Sequence, residues 1–136
     1  MRALYLTHPQ VSIDPAVAVP QWGLSELGRE RATALAARGV IPARAMVFSS
    51  TERKAMELAE IIAPSLAAVV SEHRMGENDR SATGFLPAEK FEATADRFFG
   101  EPLMSVDGWE RAIDAQSRIV AAVTAAMGRA QPGQLP

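Results

Sequence analysis

The chain has 136 residues, of which 48% are apolar and 22% charged. That composition suits one packed domain over residues 1–136 and argues against disorder. The formal net charge of -2 disfavours a nucleic-acid partner, and the lack of cysteine excludes a disulfide scaffold, a thiolate zinc site and a cysteine nucleophile. Only His8 and His73 carry imidazole, too few for a multi-histidine cage, so neither metal nor cofactor is expected. No apolar run approaches the roughly 18 residues of a membrane span. The start, Met1 to His8, has too short an apolar run for a signal peptide, so a cytoplasmic place and no membrane contact are expected.

In chain order, the apolar run at residues 2–7 predicts a buried strand that ends at His8. Residues 9–23, with Pro9, Pro15 and Pro20, read as a loop. A helix is expected over 26–38, capped by Ser25 and closed by Gly39. Residues 44–49 suggest a second strand. Ser49-Ser50-Thr51-Glu52 has capping-box spacing, and the helix behind it stops near Ile62, before Pro64. Residues 67–71 read as a third strand and 72–87 as a long polar loop, a place where function often lies. A helix follows near 88–98.

The last helix is expected to start at Asp107, with Glu110 three residues on, and to stop at Gly128. Val106, Trp109, Ile113, Val120, Val123 and Met127 form its apolar stripe, interrupted by Gln116, and packing explains such a stripe better than a cofactor box. The tail 131–136 reads as a turn. Alternating strands and helices predict an α/β fold, a three-layer sandwich with a mainly parallel sheet flanked by helices. Ligands gather at the carboxyl ends of such strands. That rule brings His8, Ser49, Ser50 and the 72–87 loop to one rim.

Three groups there could carry chemistry, each with a plainer reading beside it. His8 is held by the strand before it and by Pro9. An imidazole there can be a nucleophile or base, or only a hydrogen-bonded rim residue. Arg53 and Lys54 lie in the first turn of a helix, where free N–H groups and cations favour an anion; the plainer reading is solvated charge. Glu77 sits among Arg74, Asn78, Asp79 and Arg80. A carboxyl beside a bound anion and shielded from water has a raised pKa and can donate a proton, whereas surface salt bridges carry little. The residues alone do not set Glu77 above Glu72 or Asp79.

Taken together, these segments resemble the histidine phosphatase (phosphoglycerate mutase-like) superfamily. Leu4-Tyr5-Leu6-Thr7-His8-Pro9-Gln10 is similar to its Arg-His-Gly-Glu/Gln signature. Leu24-Ser25-Glu26-Leu27-Gly28-Arg29-Glu30-Arg31-Ala32 is similar to its Leu-Ser-x-x-Gly-x-x-Gln-Ala helix start. Ser49-Ser50-Thr51-Glu52-Arg53-Lys54-Ala55-Met56-Glu57-Leu58-Ala59 is similar to its Ser-Ser-x-x-x-Arg-Ala-x-Glu-Thr-Ala segment. The ordered matches cover about residues 2–63.

The resemblance implies phosphomonoester hydrolysis through a phosphohistidine on His8. Lys54 would hold the phosphoryl oxygens, with Arg53 as a possible substitute and Thr7 beside them, and Glu77 would protonate the leaving group. No metal is required. The implied partner is a small phosphorylated metabolite or a phosphoprotein.

This sequence departs from the pattern. Thr7 stands where the family has arginine, Pro9 where it has glycine, and Lys54 where it has a second arginine. The family's second histidine, in a His-Gly-like turn, has no counterpart, and His73 is misplaced for it. The expectation is therefore a fold that is incomplete at its C-terminus. An exposed sheet edge then predicts self-association. Two alternatives stay open: a non-catalytic phosphate- or ligand-binding homologue, and an interaction module.

Overall fold

The computed structural model of the chain describes residues 2–130. Its sheet is built from two short runs, β1 (Val47–Ser49) and β2 (Val69–Ser71). They pair in parallel, with Val47, Phe48 and Ser49 opposite Val69, Val70 and Ser71. A parallel pair needs a crossover between its strands, and α2 (Arg53–Ile62) supplies it. Leu58 and Ile62 of α2 form an apolar core with Leu24 and with Ala32 of α1 (Glu26–Ala37). Ser25 caps α1 as expected, accepting from the Gly28 N–H at 3.0 Å.

A second packed region lies further along the chain. Phe91 and Phe98 of α3 (Ala88–Gly100) gather around Trp109, which is buried with Val106, and the indole N–H donates to Thr83 Oγ1 at 2.9 Å. The chain then enters α4 (Ala112–Arg129), whose Arg129 guanidinium lies over the Phe48 ring of β1. Among the described residues, no helix is long and apolar enough to cross a membrane.

Three expectations are corrected. Residues 2–7 form no strand: all six are exposed, Tyr5 by 78%, and among the described residues no other segment pairs with them. An apolar run becomes a buried strand only where a neighbouring backbone accepts its ladder, and among the described residues β1 and β2 pair only with each other. The first bridge comes later, between Val11 and Leu24.

The expected capping box at residues 49–52 is also absent. The helix starts one turn later, with Glu52 at the N-cap and no side-chain cap bond, while Ser49 Oγ donates to the Ser50 carbonyl. Finally, Asp107 does not open the last helix. It sits in a separate 3-10 turn, Val106–Gly108, at φ 51°, where its carboxylate accepts from Thr94 and Arg97. Because α4 begins at Ala112, its buried face is Ala115, Ala122 and Ala126, and Val120 and Met127 are exposed. The helix runs through Gly128 to Arg129, and the expected turn at 131–136 lies outside the described residues.

Candidate active site

Two parallel strands deliver their following segments to the same edge. After β1 comes the start of α2 with Lys54; after β2 comes the 3-10 turn His73–Met75 and then Glu77. His8 arrives from the N-terminal arm. The three side chains meet: His8 Nε2 lies 3.1 Å from Glu77 Oε1, and Lys54 Nζ donates to Glu77 Oε2 at 3.1 Å. Arg80 Nη2 donates to that same Oε2 at 2.7 Å.

The imidazole's orientation follows from its other nitrogen. Nδ1 lies 2.8 Å from the Pro9 carbonyl oxygen, which can only accept. Nδ1 therefore carries a proton, and Nε2 is the nitrogen facing the cluster: it donates to the Glu77 carboxylate only when the ring carries both protons, and it has a lone pair when the ring is neutral. Pro9 offers no N–H, yet its carbonyl still fixes the ring.

Lys54 is only 2% exposed. A buried cation near a helix start is unfavourable unless anions join it. Glu77 is one such anion and Glu52, with Oε1 3.6 Å from Nζ, is the other. Glu52 also accepts the Glu77 N–H at 3.0 Å, so the helix start holds the acid's backbone as well as its side chain.

Burial pushes the Glu77 carboxyl up, but the Lys54 charge and hydrogen bond, then Arg80 and His8, outweigh it and hold the carboxyl below its ordinary value. This reverses the sequence expectation of a raised pKa. That expectation takes a bound anion as the neighbour; here the carboxylate is itself the anion, with Lys54 and Arg80 donating to it and His8 Nε2 beside it.

Arg53 and Thr7 do not join this cluster. Arg53 Nε donates to Glu57 Oε1 at 2.9 Å, and Glu57 is further held by Arg29 and by the Leu24 N–H. Thr7 is exposed and gives the cluster no hydrogen bond. His73 is exposed beside Glu72, whose carboxyl is held at about 2 chiefly by its hydrogen bond to the Arg74 side chain.

Sequence reasoning did not single out Arg80, Glu52 or Arg118. Arg80 packs its guanidinium over Phe91 and Trp109, 5.2 and 5.9 Å from the ring centroids, which aims it at Glu77. Its only advance signal was a position three residues beyond Glu77. Beside it, Glu77, Asn78, Phe91, Phe98, Phe99 and Trp109 line an open cleft of about 200 Å³. Among the described residues, no group of three His, Asp or Glu side chains could hold a metal ion.

Fixed cations, an imidazole nitrogen and a carboxyl thus meet at one sheet edge, an arrangement that suits an anion. The architecture carrying it is a phosphoglycerate mutase-like fold. Among solved structures, the chain is similar to mycobacterial glucosyl-3-phosphoglycerate phosphatase in complex with inorganic phosphate. The TM-score is 0.68 and the identity 22%, over 90% of this chain and 61% of that one. Mycobacterial hydrolase 1 gives 0.69 at 21% identity, covering 90% of this chain and 63% of that one. Mycobacterial hydrolase 2 gives 0.68 at 21%, covering 90% and 56%. The chain thus spans about three-fifths of the length of these neighbours. No family model and no curated protein matches the sequence.

Proposed function

We propose that this site transfers a phosphoryl group from a phosphomonoester to His8 and then to water. The observation that carries the reading is the Glu77 carboxylate, which accepts from Lys54 and Arg80 and lies against His8 Nε2 at once. Those contacts are what a phosphate oxygen would seek, so the carboxylate occupies an anion's place.

An incoming phosphoryl group takes over Lys54 and Arg80 and puts its own negative charge beside Glu77. The carboxyl loses the cations that lowered its pKa and gains an anionic neighbour, so it takes up a proton. His8 Nε2 then forms the N–P bond as the P–O bond to the leaving alcohol breaks, and Glu77 gives that oxygen its proton. In the second half, water attacks phosphorus, Glu77 takes the water's proton, and the N–P bond breaks to release phosphate. The substrate class is a small phosphorylated metabolite or a phosphoprotein.

A second reading, anion capture without turnover, is favoured by Thr7, which brings no cation to the cluster. Rapid-quench trapping with p-nitrophenyl phosphate separates the two. The expected result is acid-labile phosphohistidine and steady turnover, both abolished by His8→Ala. Phosphate binding with no trapped intermediate would leave the capture reading standing and end the catalytic one.

A further inference from the structure

The segment after β2 that carries Glu77 has little regular structure of its own. Its carbonyls need donors from elsewhere. One side chain supplies them. Arg118, on α4, donates through Nη1 to the carbonyls of Arg74 and Gly76 at 2.7 and 3.0 Å, and through Nη2 to that of Glu77 at 3.1 Å. Its Nε and Nη2 are held by Glu110 at 2.9 and 2.7 Å.

Glu110 ties the same loop a second time. Its Oε2 accepts the Asp79 N–H at 3.0 Å, and its own N–H donates to the Asp79 carbonyl at 2.9 Å. The Glu77 peptide is therefore gripped at both ends, its N–H by Glu52 and its C=O by Arg118. A planar guanidinium can serve three carbonyls and a carboxylate together, which an ammonium on a flexible stem does not reproduce.

We propose that Arg118, oriented by Glu110, is the positioning residue of this site: it sets residues 74–79 so that the Glu77 carboxyl meets His8 and Lys54. Its catalytic meaning rests on the phosphoryl-transfer reading, but its structural claim does not. Arg118 itself makes no hydrogen bond to His8 or Lys54; its side-chain bonds go to Glu110 and to the carbonyls of Arg74, Gly76 and Glu77. It acts through the backbone of Glu77, and the fork of donors defines where that backbone lies.

The test is a carbon-13 NMR titration of the Glu77 carboxyl in the full chain, assigned with Glu77→Gln. The wild-type carboxyl should titrate below an ordinary glutamate. In Arg118→Met it should move up toward the ordinary value, because the loop no longer presents it to Lys54 and Arg80. Arg118→Lys should restore part of the difference. Arg111→Met, at the start of the same helix and paired only with Asp114, should leave it where it was. Where the wild type turns over p-nitrophenyl phosphate, Arg118→Met should lower kcat about 10-fold or more, with KM little changed, since Lys54 still holds the phosphate.

A folded Arg118→Met, its near-UV circular dichroism intact, whose Glu77 titrates as in wild type overturns the proposal. Should that variant fail to fold, Glu110→Gln takes its place, and an unmoved Glu77 titration there overturns the proposal equally. A wild type that neither turns over nor forms phosphohistidine ends the functional reading alone, and the titration still judges the clamp.

Discussion

The two walls of the site are built on opposite plans. On the acid wall, charged side chains from the start of α2 and from α4 hold the Glu77 peptide, and Lys54 and Arg80 donate to its carboxylate. On the nucleophile wall, residues 2–7 are exposed and outside the sheet, and His8 is held by the Pro9 carbonyl and by Glu77 itself. The arm is anchored only beyond His8, where the Ser25 N–H donates to the Gln10 carbonyl at 3.0 Å and Val11 bridges Leu24. The contrast teaches that the cation and acid geometry is organised by α2 and α4, and that the imidazole is placed largely by docking onto it.

The strongest way to break that arrangement is to remove the cation between the two carboxylates. Lys54→Met leaves Glu52 and Glu77 facing one another without a shared counter-charge. Breaking a buried ion pair from one side costs about 3 kcal/mol, the lower end being appropriate because the Glu77 side chain is 35% exposed. Urea unfolding should show that loss, and phosphate binding should disappear with it. A change below about 1 kcal/mol would mean that water already compensates the two carboxylates.

The other wall can be loosened separately. A Cβ at Gly28 would run into the Gln10 carbonyl, so Gly28→Ala must push α1 away from the arm's anchor. Overpacking of this kind costs about 1–3 kcal/mol. The expected signature is a weakened capture of phosphate on His8 with the Glu77 titration nearly unchanged. If the Glu77 carboxyl moves as much as in Arg118→Met, the two walls are not independent.

The same contrast explains what is legible in the sequence. His8, Lys54 and Glu77 each follow a local cue: a histidine after an apolar run, a cation in a helix's first turn, an acid in a long polar loop. The meeting of Lys54 and Glu77 follows from the parallel order of β1 and β2; that of His8 does not, since it arrives from an arm outside the sheet. The placements of Glu52 and Arg118 against residues 74–77 depend on contacts across the chain that no local pattern encodes, and Arg80, though three residues from Glu77, is aimed by Phe91 and Trp109; Arg118 reaches the Arg74 carbonyl from 44 residues away. The arm at 2–7 departs from expectation for a related reason. An apolar run says what a strand would bury, but not whether a partner edge is there. The phase of α4 differs because the turn at 106–108 looks like a helix start, so the expected stripe holds at Val106 and Trp109 but leaves Val120 and Met127 exposed.

A milder disturbance is acid. Glu77, Glu110 and Glu57 are all held below the ordinary carboxylate value in the fold; for Glu77 and Glu57 burial opposes the shift but loses to their charged and hydrogen-bonding partners, while for Glu110 the Arg118 hydrogen bond leads. The unfolded chain therefore binds more protons than the folded one over this range, so stability rises with pH there. The contribution is complete above the unfolded glutamate value and is lost as pH falls through the lowered folded values, roughly from pH 5 downward. Urea midpoints taken stepwise from neutral pH should stay flat and then fall. In Glu110→Gln the fall should be shallower. An acid limb equally steep in that variant would remove the Arg118–Glu110 pair from the account.

The smallest effect separates two adjacent cations that the sequence alone does not rank. Arg53 is exposed and spends its Nε on Glu57, which keeps Arg29 at 2.9 Å and the Leu24 N–H at 2.7 Å when Arg53 is cut back. Arg53→Ala should cost no more than about 0.5 kcal/mol, the usual worth of an exposed i,i+4 pair. Phosphate affinity should hold within about twofold, because Lys54 and Arg80 already meet the anion and a third cation would have to leave Glu57 to reach it. A tenfold drop in affinity would show that Arg53 swings from Glu57 into the site when the anion arrives. The cluster around Glu77 would then be one half of a site whose other half is assembled by its ligand.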